Sequence, residues 1–204
     1  MRNALIVVVI IVADLSTFAY AEQPLDALQK SIDQSIRILN DPIYRDTTLK
    51  DVQRQRLWEI LNQIFDFKEF SRRVLAANWL KFTPQQRKEF TALFAKFVKV
   101  YYLTRLQDKY NNEKVIFVNQ NIITYSKAVV QGKVLWKNQE VPVEIKMVRR
   151  VNSWKIYDIV ALGISGVRFY RVQFHAILLK ESPAQVIQRL KVKISKIEEK
   201  LKKK

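Results

Sequence analysis

Glu140-Val141-Pro142-Val143-Glu144-Ile145-Lys146-Met147-Val148-Arg149-Arg150 decides how the rest of the chain is read. Val141, Val143, Ile145 and Met147 alternate with Pro142, Glu144 and Lys146. Successive strand side chains point to opposite faces, so this spacing predicts a strand with one buried apolar face and one wet face. Lys137-Asn138-Gln139 before it and Asn152-Ser153 after it are tight polar connections. Neighbouring strands joined by such turns pair antiparallel. Working outward, strand signals cover Lys114–Asn119, Ile122–Trp136, Glu140–Arg150 and Trp154–Val160, a meander of about four strands.

Helical spacing flanks this meander on both sides. Leu25, Leu28, Ile32, Ile36 and Leu39 recur every three or four residues and predict a helix over 24–40, ended by Asn40-Asp41-Pro42. Further helices are expected at about 47–65 and 67–79. Thr83-Pro84-Gln85-Gln86 joins a cap, an N1 proline and a capping-box glutamine, and starts a long helix expected to reach about Tyr110. After Gly163 a helix is expected at about 164–180, and Ser182-Pro183-Ala184-Gln185 opens the last one. Helices, then strands, then helices indicate an α+β fold rather than alternating βαβ units.

Composition narrows the chemistry. Among 204 residues there is no Cys, one His and three Gly. Disulfides, thiolate metal sites and Cys nucleophiles are excluded, and a His-rich metal site is impossible. No Gly-rich phosphate loop is present. His175 lies in a helical pattern between Phe174 and Ala176, which suits a structural or surface role. The carboxylate pairs Asp66/Glu69 and Glu198/Glu199 stand among Lys and Arg, as on solvated helix faces. Neither a catalytic residue nor a metal or cofactor site is assigned.

Met1-Arg2-Asn3, the apolar run Ala4 to Ala13 and Ala19-Tyr20-Ala21 read as an export signal over residues 1–21, cut after Ala21. Export of a chain without cysteine favours a bacterial periplasm. The balance of 36 Lys+Arg against 19 Asp+Glu gives a formal net charge of +17. With export, this favours anionic membrane or an acidic partner over nucleic acid. Eight basic and two acidic residues lie from Arg189 onward, and 192–204 reads as a basic helical tail with sparse apolar positions. The aromatic content, 11% of residues, serves a solid core as well as a lined hollow; the pattern alone leaves both open.

Two stretches carry a resemblance. The first runs Phe65-Asp66-Phe67-Lys68-Glu69-Phe70-Ser71-Arg72-Arg73-Val74-Leu75, then Trp79, Thr83 to Phe90, Phe94 and Tyr101. The second runs Trp154-Lys155-Ile156-Tyr157-Asp158-Ile159-Val160-Ala161-Leu162-Gly163-Ile164-Ser165, then Phe169-Tyr170-Arg171 and Phe174. Together they resemble the MlaC family, the toluene-tolerance auxiliary proteins of ABC transporters, over about Leu25 to Lys191. One departure is Leu162, where many members carry an acidic residue.

The resemblance implies a periplasmic phospholipid carrier with no enzymatic activity. Its partners would be an inner-membrane MCE-domain protein of an ABC transporter, an outer-membrane lipoprotein complex and, transiently, membrane. It implies a curved antiparallel sheet packed on helices, an apolar cavity between them, and a lipid-binding domain at 22–191 ahead of the tail. The residues expected to line the cavity are Phe90, Phe94, Phe97, Tyr101, Leu106, Val143, Ile145, Met147, Ile159, Ile164, Val167 and Phe174. Arg105, Lys127 and Arg168 are candidates for the pocket mouth. Asp158 and Arg171 are expected to hold the sheet–helix junction by hydrogen bonds, and Gly163 is a structural motif position closing the sheet region. Two other classes remain open: an exported basic interaction protein with a solid core, and an enzyme resembling the cone-shaped fold of nuclear transport factor 2.

Overall fold

The computed structural model describes residues 22–137, 139–151 and 153–202. The export signal read at 1–21 lies outside them.

The chain begins with α1 (Pro24–Asn40) and α2 (Lys50–Ile64), joined by two short 3-10 turns. Helix α3 (Phe67–Leu75) follows, then a 3-10 turn over Ala76–Lys81. The expected capping box is present at the start of α4 (Pro84–Val98): Thr83 Oγ1 accepts from Gln86 N while Gln86 Oε1 accepts from Thr83 N, at 3.2 and 3.0 Å. The long helix does not run unbroken to Tyr110. A π-helical turn at Lys99–Leu103 separates α4 from the short α5 (Thr104–Lys109).

The sheet has β1 (Lys114–Thr124), β2 (Lys127–Trp136), β3 (Gln139–Arg150), β4 (Ser153–Ala161) and the two-residue β5 (Ile164–Ser165), paired antiparallel in that order. Two expected boundaries shift. The first hairpin turns at Tyr125-Ser126, not near Asn121. Residues 164–165 pair with Val160 and Ala161 as β5, so α6 (Gly166–Leu178) begins two residues later than its periodicity suggested. Periodicity cannot see the carboxylate that fixes this start. Asp158 accepts from Val167 N at 2.9 Å and Ser165 Oγ at 2.7 Å, and Ser165 in turn caps Arg168 N. Helix α7 (Pro183–Lys202) ends the described chain.

Two apolar cores result. Helix α1 lays Ala27 and Leu28 on the inner sheet face, against Ala128, Val130, Ile145, Met147, Trp154 and Ile156. The second core is helical and gathers Phe70, Phe90, Phe94, Phe97, Phe174, Leu178, Val186 and Leu190 from α3, α4, α6 and α7, with Phe82 from the link before α4. Phe65, between α2 and α3, packs against both. Its neighbour Asp66 donates its N–H to Ile156 O at 2.8 Å and ion-pairs with Arg150 at 2.6 Å, which ties the helical half to the sheet.

Candidate functional site

Helix α7 explains where an apolar groove forms. Val186, Ile187, Leu190 and Ile194 recur on one face and are all buried, with Ile197 packed beside them. That stripe rests on the aromatic faces of α4 and α6. Between the three helices lies a groove of about 500 Å³, lined by Phe94, Phe97, Tyr170, Phe174, Ile177, Val186, Leu190, Val192 and Ile197. This volume falls within the ~300–1,000 Å³ range of small-ligand sites.

The groove is apolar within and cationic at its edge. Arg189, Lys193, Lys196 and Lys200 from α7 line it while remaining exposed. Lys193 Nζ stands 5.1 Å from the Phe97 ring centre, close enough for a cation–π attraction. Burial pushes the Tyr170 phenol far above its usual range, and its hydrogen bond with the Tyr102 hydroxyl adds to that. The phenol is therefore neutral at any physiological pH. Such a lining offers burial for hydrocarbon and cations for an anionic head.

The expected cavity residues separate in space. Phe94, Phe97 and Phe174 line the groove, and Phe90 and Val167 are buried in the same helical core. Tyr101 packs against that core, with Arg105 stacked 3.6 Å over its ring. Val143, Ile145 and Met147 are buried on the sheet, and α1 packs on that face. The groove described here thus lies among helices, whereas the cavity was expected between sheet and helices; α1 fills the inner sheet face. Leu106, Ile159 and Ile164 are exposed and line none of the groove. Lys127 sits on β2 opposite Thr124 and Val148, also away from it.

Asp158 and Arg171 lie at the junction. Asp158 holds the start of α6, and Arg171 Nε donates to Arg73 O at 3.0 Å, joining α6 to the end of α3. A bulge leaves Tyr157 unopposed, because Lys146 pairs with Asp158 and Met147 with Ile156. Tyr157 and Asp158 consequently line one polar hollow of about 780 Å³ with Lys146, Arg73, Arg168 and Arg171. Gly163 adopts φ +77° in the two-residue turn before β5, next to Leu162 at φ +51°.

Sequence reading missed the α7 contribution. The signal was there: Val186, Leu190, Ile194 and Ile197 keep helical spacing. The dense Lys run between them masked it. His175 is exposed and meets Asn78 Nδ2 at 3.4 Å. Among the described residues no group of three His, Cys, Asp or Glu is placed to hold a metal. None of the described helices is long and apolar enough to cross a membrane.

No curated protein matches the chain. Solved structures do. A phospholipid-binding protein from Ralstonia solanacearum, in complex with a phospholipid, superposes with a TM-score of 0.75 at 21% identity, covering 86% of this chain and 99% of that one. At that identity the likeness speaks for the fold. The family model described as MlaC protein matches residues 29–192, from within α1 to within α7, so the sheet and most of both cores and of the groove fall inside the match. This chain belongs to the MlaC protein family.

Proposed function

We propose that this protein is an exported, periplasmic carrier that buries the acyl tails of phospholipid and moves the lipid between membranes. The observation that carries the reading is the α4/α6/α7 groove, apolar inside and edged by Arg189, Lys193, Lys196 and Lys200. The family membership and the phospholipid held by the Ralstonia protein of the same fold support it.

The physics explains why such a carrier is needed. Two tails of ~16 carbons hold about thirty methylenes; at ~0.8 kcal/mol each, exposing them to water costs on the order of 25 kcal/mol. Unassisted crossing of an aqueous compartment is therefore negligible. A groove that replaces water with Phe and Leu side chains removes that cost for the length of tail it covers, which brings exchange between bilayer and carrier nearer to balance. Direction then comes from partners: the MCE-domain protein of an inner-membrane ABC transporter on one side and an outer-membrane lipoprotein complex on the other. The carrier breaks no bond. Residues 192–202 act in this reading as part of the groove wall, through Val192 and Ile197, as well as a basic tail.

Organic extraction of the purified native protein followed by mass spectrometry tests the proposal. Phospholipid recovered in stoichiometric amount is the expected result. A lipid-free extract, with no uptake of added fluorescent phospholipid, overturns it and favours an exported interaction protein with a solid core.

A further inference from the structure

A second apolar feature lies outside the groove. Leu162, Ile164, Phe169 and Val172 are 66%, 63%, 51% and 65% exposed, along the β4–β5 turn, β5 and the first two turns of α6. Ile164, Phe169 and Val172 border a shallow apolar hollow with Arg168. Single exposed apolar residues are common, but four together form a patch that calls for a partner.

Leu162 sharpens the case. Its φ of +51° is a conformation that suits Gly, Asn or Asp, and the side chain it carries there is large, apolar and turned over to solvent. A branched aliphatic chain in that setting gains nothing for the fold.

We infer that this turn and the first face of α6 form a docking surface for an anionic phospholipid bilayer. Charge complementarity supports that occupant. Arg168 and Arg171 are exposed beside the patch; in the adjoining polar hollow Lys146 is paired with Asp158 at 3.8 Å and Glu144 also lines the wall, so the two arginines carry the positive charge there. The whole chain carries +17, so its approach to an anionic surface is favourable at long range. A projecting turn with aliphatic tips and arginine flanks matches an interface in which apolar groups enter the acyl boundary and cations stay at the head groups.

Position supplies the reason for it. Gln173 borders both this hollow and the α4/α6/α7 groove. Docking here sets the groove beside the bilayer, so a tail passes from one to the other with little exposure to water. The purpose of the surface rests on the carrier reading; its measurement does not.

The chain has no cysteine, so Leu162→Cys provides a unique attachment point for an environment-sensitive fluorophore. The labelled protein is mixed with vesicles of phosphatidylglycerol and phosphatidylcholine, or of phosphatidylcholine alone. The expected result is a blue shift and brighter emission with the anionic vesicles only, reversed by high salt. The same label at Val151→Cys, 94% exposed in the turn at the opposite end of β4, stays unchanged. In flotation of unlabelled protein, the double variant Phe169→Ser/Val172→Ser binds anionic vesicles roughly tenfold more weakly or worse. A label at 162 that anionic vesicles leave unmoved, or an equal response at 151, overturns the inference. So does a label that responds only to an added protein. Lipid extracted from the same preparation, with the label unmoved, removes the docking surface and leaves the carrier standing.

Discussion

The Asp158 carboxylate on β4 accepts the backbone N–H of Val167 at 2.9 Å, inside the first turn of α6, and holds Ser165 Oγ with its other oxygen. One side chain thereby fixes the helix that carries Tyr170 and Phe174 to the edge of the sheet. Asp158 is 3% exposed, so a lost partner there stays unsatisfied. Asp158→Asn keeps the shape but removes the charge that favours the helix N-terminus and replaces one acceptor with a donor. We expect a loss of about 1–3 kcal/mol by denaturant unfolding, with weaker retention of co-purified lipid. Unchanged unfolding and unchanged lipid content would show that the junction does not depend on this carboxylate.

Glu69 predicts a pH dependence. Its hydrogen bond from Arg72, foremost, and the charge of Arg73 hold its carboxyl below the usual value of 4.5, against the opposing effect of burial. A folded pKa below the unfolded one adds stability that is fully present above about pH 4.5 and fades as pH falls through the folded value. Unfolding midpoints measured from pH 7 to pH 3 should therefore drop at the acid end. Glu69→Gln should be less stable at neutral pH and show a shallower acid decline; parallel curves for the two proteins would contradict this.

Backbone strain is stored where residues with a β-carbon take positive φ. Leu162 has φ +51°, and Ala76, at the end of α3, has φ +48° and ψ −125°. For residues bearing a β-carbon these conformations cost roughly 1–2 kcal/mol each. Leu162→Asn and Ala76→Gly should each raise stability by about 1 kcal/mol, or ~2–4 °C in melting temperature for a chain of this size. The two variants should differ in one respect. Leu162→Asn is expected to weaken binding to anionic vesicles while raising the melting temperature; Ala76→Gly should leave vesicle binding alone.

The α7 stripe should serve the fold and the cargo together. Leu190 and Ile194 are buried against the helical core, and Leu190 also lines the groove. Leu190→Ala should cost about 2–5 kcal/mol and reduce lipid co-purification. Lys193→Glu/Lys196→Glu reverses exposed charge at the groove edge. It should lower uptake of phosphatidylglycerol more than that of phosphatidylcholine, with a melting temperature within a few degrees of the parent. Equal loss for both lipids would mean that these cations do not read the head group.

Local signals served well where structure is local. The period over 24–40 gives α1 with the same bounds, the Thr83-Pro84-Gln85-Gln86 box starts α4, and alternation along Glu140–Arg150 gives a buried sheet face. Signals failed where a distant partner intervened. The start of α6 was set two residues late by the Asp158 carboxylate. The break at Lys99–Leu103 interrupts a stripe whose periodicity reads on through it.

Spacing, caps and composition were enough to establish an α+β chain without thiols, and two motif strings were enough to point to its family. They could not say which apolar walls meet. Phe94 and Met147 sit on equally apolar stripes, yet one borders a groove and the other lies under α1. The same is true of charge: the Lys run of α7 reads as a solvated tail until Val186, Leu190 and Ile194 are seen to dock it along α4 and α6. Periodicity records which face of an element is apolar. What that face touches depends on side chains a hundred residues away, and only their packing separates a filled core from the lining of a groove.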